Sequence, residues 1–354
     1  MPWYSIRPDD TFHIRDGRTF DRGSGSAYAS VSPSPSTFGG ALSAAIGGNE
    51  FKWLGLVVIA HRRGDQLTAY VPQPRDVVTD SEGAARLFPI ESAPTRAGSG
   101  SSQTSTSRFI GQTLTDVDRD HGAEREWKHE PANVQLADLS AHLGDPNEIA
   151  GKYITQQVTE PFAPEYRTGI TLEGRSAKKG HLYTTVHHRP VDGHEFLVWA
   201  DLKGHDIIQE TVPFGGAGRT AQVTPANGAD ILPKPLDEYP DGRLLLYLAS
   251  PAVWADGVRP PLPEGAEIIA AVTGPAQPVA IGAKRRTGIR NTKLYWAVPA
   301  GSVFYIKFAN PEDALIWAHE HQPGGAKQRE NSIDALGTTG FGAVFTGKWR
   351  YARS

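Results

Sequence analysis

The chain has 354 residues, of which 39% are hydrophobic and 21% charged, with 38 Gly, 27 Pro and a formal net charge of -3. It has no cysteine, which excludes disulfides, zinc–thiolate sites and cysteine nucleophiles, and its glycine and proline content excludes a plain helical bundle. The negative balance weighs against nucleic-acid binding by the chain as a whole, because Lys and Arg that neutralise phosphate supply much of that affinity.

In chain order, Trp3 to Ile6 reads as a strand, followed by a loop from Phe12 to Phe20 that carries His13, Arg15 and Arg18. Ser34-Pro35-Ser36-Thr37 is a capping run, and Phe38, Leu42, Ala45 and Ile46 at spacings of three and four predict a helix behind it. Leu54 to Ala60 reads as an apolar strand, and Ser92 to Ser107 as a flexible loop of Ser, Thr and Gly. Ala137 to Leu143 reads as a short helix. Glu165 to Ile170, Leu182 to His187 and Glu195 to Leu202 read as strands, with Arg175 to Gly180 as a basic hairpin tip carrying Lys178 and Lys179.

Phe214-Gly215-Gly216-Ala217-Gly218-Arg219 follows. Its glycines free the backbone for positive φ and close approach to a phosphate, with Arg219 as a fork-shaped donor. Leu244 to Ala249, Ala266 to Thr273, Pro278 to Ile281 and Ser302 to Phe308 read as strands, and Pro311 to His319 as a helix. A second glycine-rich loop, Gly340-Phe341-Gly342, precedes Trp349. At roughly 100 to 200 residues per domain the length suits two domains. The pattern predicts an α+β protein of two ferredoxin-like (RRM-like, split βαβ) domains with long loop insertions, residues 1–210 and 211–354.

Charge is unevenly spread. Ile268 to Pro311 holds no Asp or Glu but carries Lys284, Arg285, Arg286, Arg290, Lys293 and Lys307; Ala335 to the end is again acid-free. The balancing acids cluster between Asp116 and Glu130. No charged segment followed by an apolar stretch opens the chain, and no run approaches about 18 apolar residues, so the expected location is the cytoplasm.

Ile6-Arg7-Pro8-Asp9-Asp10 through Phe12, Arg15-Asp16-Gly17-Arg18 and Phe20, Ser32 to Thr37 and Gly40-Ala41-Leu42 together resemble the third subunit of the Cmr module. Glu165, Arg167, Gly169, Ile170, Leu182-Tyr183, the Phe214 to Arg219 loop, Val298 to Val303 and Gly340-Phe341-Gly342 continue the likeness in order. That family belongs to the repeat-associated mysterious protein (RAMP) superfamily of type III-B CRISPR systems. The resemblance implies a non-catalytic subunit that holds the 5′ handle of the guide RNA (crRNA) and contacts the large polymerase-like subunit and the backbone subunits, with no cofactor.

A single-stranded handle needs phosphate donors, stacking surfaces and a fixed path. Arg15, Arg18, Arg167, Arg175, Lys178, Lys179, Arg219, Lys284, Arg285 and Arg286 are the donor candidates. Ser34, Ser36, Thr37, Gly215, Gly216, Gly218, Gly340 and Gly342 are candidate backbone or hydroxyl contacts. Phe20, Tyr183, Phe214 and Phe341 are stacking candidates or, on the plainer reading, core residues. A rival reading is a guide-processing endoribonuclease with His187 or His188 as general base near His194, Arg189 and Tyr183. Adjacent strand residues face opposite sides, so the two histidines do not enter one site. A protein-only scaffold is the third reading. His187, Asp192 and His194 lack the fixed spacing of a metal site, and none is expected.

Overall fold

The computed structural model describes residues 2–14, 26–27, 34–80, 83–91, 108–111, 114–115, 129, 132–149, 161–226, 231–284 and 290–352. Arg15, Arg18, Phe20, Arg285, Arg286, the 92–107 loop and most of the acidic stretch lie outside them. The chain forms two compact units that interleave along the sequence. Unit 1 is Met1–Leu67, Thr159–Gly228 and Pro278–Trp296; unit 2 is Thr68–Val158, Ala229–Gln277 and Ala297–Ser354. The units therefore do not part at position 210, because 68–158 folds with the later half and 278–296 with the earlier one.

Unit 1 is built on β1 (Trp3–Pro8), α1 (Pro35–Ala45), β2 (Trp53–Arg63), the hairpin β3 (Phe162–Glu173) and β4 (Ser176–Pro190), β5 (His194–Asp201), β6 (Thr211–Pro213) and β7 (Thr220–Ala226). Its main sheet runs β2-β5-β1-β7-β6, antiparallel throughout. Taking β1, β2, β5 and β7 as first to fourth strands, the order is 2-3-1-4, that of a split βαβ fold. Among the described residues, the first of that fold's two helices is present and the second is not. The second would fall between β5 and β7, where Gly204 at φ 79°, Pro213 and Gly215 at φ 81° stop a helix from forming.

The start of α1 matches the expectation in place but not in mechanism. Ser34 sits at the N-cap without a side-chain cap; its Oγ lies 3.0 Å from Ser36 Oγ, and Pro35 opens the helix. Phe38, Ala41, Leu42 and Ala45 form its buried face and meet Phe196, Val198 and Phe214 in one core.

Unit 2 carries α2 (Leu136–Gly144), β8 (Arg243–Leu248), β9 (Glu267–Thr273), β10 (Val303–Lys307), α3 (Pro311–His321) and β11 (Val344–Lys348). The order β11-β8-β10-β9 is again 4-1-3-2, with the strand Arg108–Gly111 added beside β9. Here it is the first helix that is missing, since the 249–266 connection holds Pro251, Pro260, Pro261 and Pro263. α3 is well capped: Asn310 Oδ1 accepts the Asp313 N–H at 2.8 Å, Pro311 follows, and Glu312 and Asp313 face the positive end of the helix dipole.

An ionic cluster is sealed inside unit 2. Asp76 Oδ2 lies 3.1 Å from Arg86 Nε and 3.1 Å from His142 Nε2, while Arg86 Nη1 donates to the carbonyls of His142, Asp145 and Glu148 at the end of α2. One guanidinium thus caps the helix and neutralises the buried acid. No helix among the described residues is long and apolar enough to cross a membrane.

Candidate nucleic-acid interface

The hairpin β3–β4 pairs Glu165 with His187, Arg167 with Thr185 and Gly169 with Tyr183. Because strand residues alternate, Glu165, Arg167 and Gly169 share one face with Tyr183, Thr185, His187 and Arg189. Gly169 has no Cβ, and one placed there would lie 2.3 Å from the Tyr183 ring, so the aromatic covers the glycine. Tyr183 is half-buried in this role.

On that face the end of β1 meets the hairpin. Arg167 Nη2 lies 2.5 Å from Glu165 Oε1, 3.2 Å from Thr11 Oγ1 and 3.7 Å from Asp10 Oδ2. Arg189 Nη2 bonds Glu165 Oε2 at 2.6 Å and its Nη1 bonds Asp10. Arg219, from the glycine-rich loop, donates to Asp10 Oδ2 at 3.1 Å. Three guanidiniums therefore share two carboxylates, which leaves one positive charge in excess. Hydrogen bonds from Arg189 and then Arg167 hold the Glu165 carboxyl below the usual range, and those acids in turn push Arg189 upward. All three arginines keep solvent-exposed surface, and Arg219 Nε is a buried donor with no partner among the described residues.

The glycine-rich loop is strapped to the same corner. Gly216 N–H donates to the His13 carbonyl at 2.8 Å, and a Cβ on Gly215 would lie 2.6 Å from that oxygen. Ala217 at φ 58° and Gly218 at φ 67° turn the exposed tip back, and Phe214 N–H closes it on the Arg219 carbonyl at 2.8 Å. Phe214 itself is fully buried among Phe12, Phe38 and Phe196. It is a core residue and offers no ring to a base.

The expected basic tip is narrower than its sequence suggested. The turn is only Gly174-Arg175, with Gly174 at φ 63°, and Glu173 pairs with Ser176. Lys178 and Lys179 lie on β4, opposite a break in the ladder between Ile170 and Leu172. Both are exposed, as is Arg175. The opposite face of the hairpin presents Tyr166, Ile170 and Leu182 at 70%, 46% and 59% exposure.

Ser36 and Thr37 are half-buried at the start of α1, beside Ser34. Lys284 ends a strand, Gln277–Lys284, that pairs with Arg290–Ala297. Arg189, Asp10 and Glu165 were missed as charge partners; the period-two spacing of Glu165 with Arg167 and of His187 with Arg189 was the available signal. The second glycine-rich loop corrects an expectation. Phe341 is 2% exposed, Gly342 N–H donates to the Pro251 carbonyl at 2.9 Å, and a Cβ on Gly342 would lie 2.3 Å from the Asn331 carbonyl oxygen. Gly340, at φ 90°, and Gly342 make a packing turn in unit 2, so the ring and this N–H are turned inward.

His187 and His188 occupy opposite faces of β4. His187 is 3% exposed, stacked on His13 with ring centroids 4.8 Å apart, and its Nδ1 is 3.5 Å from Thr11 Oγ1. Burial, then His13 and Arg167, depress its pKa. His188 packs on Phe12 at 5.6 Å in the core. His194 stacks on His61 at 4.5 Å and bonds the Val191 carbonyl. No three His, Asp or Glu among the described residues are grouped to hold a metal ion.

A family model described as CRISPR-associated protein (Cas_Cmr3) matches residues 4–349. No curated protein sequence matches the chain. Among solved structures, a chain of a type III-B Cmr-beta complex bound to cognate target RNA and AMPPnP shares 15% identity at a TM-score of 0.47, covering 97% of this chain and 98% of that one. A second Cmr-beta chain bound to cognate target RNA gives 14% and 0.45, covering 86% of each. A chain of a Csm3-Csm4 subcomplex of the type III-A interference complex gives 11% and 0.38, covering 88% of this chain and 94% of that one. With the family model spanning nearly its whole length, the chain belongs to the CRISPR-associated Cas_Cmr3 family, the Cmr-module family that its sequence resembles.

Proposed function

We propose that this chain is a non-catalytic subunit of a type III-B CRISPR ribonucleoprotein in the cytoplasm, holding the 5′ handle of the crRNA and docking against the large polymerase-like subunit. One observation carries the RNA half: Arg167, Arg189 and Arg219 converge on a partly exposed face where, among the described residues, Asp10 and Glu165 are the carboxylates paired with them. A phosphate arriving there meets fork-shaped donors that are already positioned, so little side-chain entropy is lost on binding. Arg175, Lys178 and Lys179 extend positive charge along the hairpin.

A histidine general base needs hydrogen-bond reach to the hydroxyl it activates. The burial of His187 against His13 favours binding over cleavage. The test is filter binding of the purified protein to crRNA with and without its handle across a salt series, with gel analysis of the RNA. Handle-dependent binding that weakens with salt and leaves the RNA intact supports the reading. RNA cut by wild type but not by His187→Ala selects the nuclease; partner binding without RNA binding selects the scaffold.

A further inference from the structure

A groove of about 510 Å³ runs beside α3 in unit 2. Trp317 and Phe308 line it, and Pro261-Leu262-Pro263 forms one wall. Ile316, on the α3 side, is 50% exposed, although Ala314, Trp317 and Ala318 of the same helix are buried. The two prolines fix φ at about −65°, so this wall is stiff before anything binds.

Its rim is acidic. Glu264, Asp313, Glu320 and Glu330 line it against one ammonium, Lys327, giving a net of -3 from four carboxylates and one cation. Lys327 is already held by Glu320 at 2.7 Å, and Glu264 and Glu330 carry no ion pair among the described residues. His321 stacks on Trp317 at 4.3 Å and its Nδ1 bonds Asn331 Oδ1 at 2.6 Å. Burial depresses its pKa, so it adds no charge at neutral pH. A phosphate backbone is repelled here, in contrast to the arginine face of unit 1. An apolar floor with unpaired carboxylates around it suits a protein segment of opposite charge.

We infer that this groove docks another subunit of the effector complex, through a segment that lays an apolar side chain against Ile316 and Leu262 and sets Lys or Arg over Glu264 and Glu330. The inference rests on the chain being a subunit of that complex and adds the surface and the chemistry of the contact.

The probe is the remaining subunits of the complex, assembled without this chain and titrated by interferometry from about 0.05 to 0.5 M salt. Ile316→Lys is expected to weaken the partner at least about 10-fold. Glu264→Lys with Glu330→Lys should weaken it comparably and flatten its salt dependence. Ile316→Ser, a milder change at an exposed position, should weaken it with an unchanged melting temperature. All three variants should bind handle RNA as wild type does. Unchanged partner affinity in the variants overturns the inference, as does loss of RNA affinity instead, which would make RNA the occupant. Wild type that binds the partner through this groove but not the handle leaves the inference standing and removes the RNA half of the proposed function.

Discussion

Arg219 Nη1 lies 3.1 Å from Asp10 Oδ2, so the arginine that closes the glycine-rich loop is already bonded to an acid just beyond β1. Asp10 also receives Arg189, and Arg167 lies 3.7 Å away. The carboxylate holds the donors in position and competes with any phosphate for them.

Two substitutions separate those roles. Arg219→Ala should weaken handle RNA and lower the slope of log affinity against log salt by about one, the signature of a lost phosphate contact. Asp10→Asn should tighten binding by up to about 5-fold, the worth of an exposed ion pair of about 1 kcal/mol. Fluorescence anisotropy across a salt series reads both. Unchanged slopes would remove Arg219 from the interface.

Phe214 distinguishes core from stacking surface. Fully buried against three phenylalanine rings, it should cost about 3–5 kcal/mol of stability when cut to Ala. A conservative Phe214→Leu should melt lower than wild type yet keep its RNA affinity while folded. Calorimetry with binding measured below the transition checks this.

The glycines divide by what surrounds them. Gly342→Ala combines φ 73° with a Cβ 2.3 Å from a backbone oxygen, and should cost about 3 kcal/mol. Gly218→Ala, at φ 67° with open space around it, should cost only the left-handed penalty of about 1 kcal/mol. Denaturant midpoints at constant m-value compare them.

Acid should destabilise the protein in two steps. Burial, then Arg86, depresses the His142 pKa, so the unfolded chain takes up its proton first as pH falls below about 6.5. This part of the stability is present above the unfolded value and is lost on acidification. His129, His187, His194 and His321 are depressed as well and act in the same direction. Burial opposes ionisation of Asp76, but His142 and Arg86 outweigh it and lower its pKa. Its contribution is present above about 3.8 and is lost as pH falls through the lower folded value. Melting temperature against pH should fall below about 6.5, with a shallower fall between about 5 and 6.5 for His142→Gln.

Strands β1 to β5 and β8 to β10, the helices at 35–45 and 311–321 and both glycine-rich turns were legible from the sequence, because period, proline placement and turn chemistry depend on neighbours a few residues away, whereas β6, β7 and β11 were not read as strands. The mixed α+β, ferredoxin-like character was legible for the same reason, though the interleaved units were not, since nothing local shows that 278–296 packs with unit 1. Spacing also put His187 and His188 on opposite faces of one strand. It could not bring Arg219 to Asp10 across 209 residues, pair Glu165 with both hairpin arginines, or turn Phe341 inward while leaving Tyr166 exposed. Those outcomes follow from strand register and from which face each sheet buries, and both are set by the packed core of the folded chain.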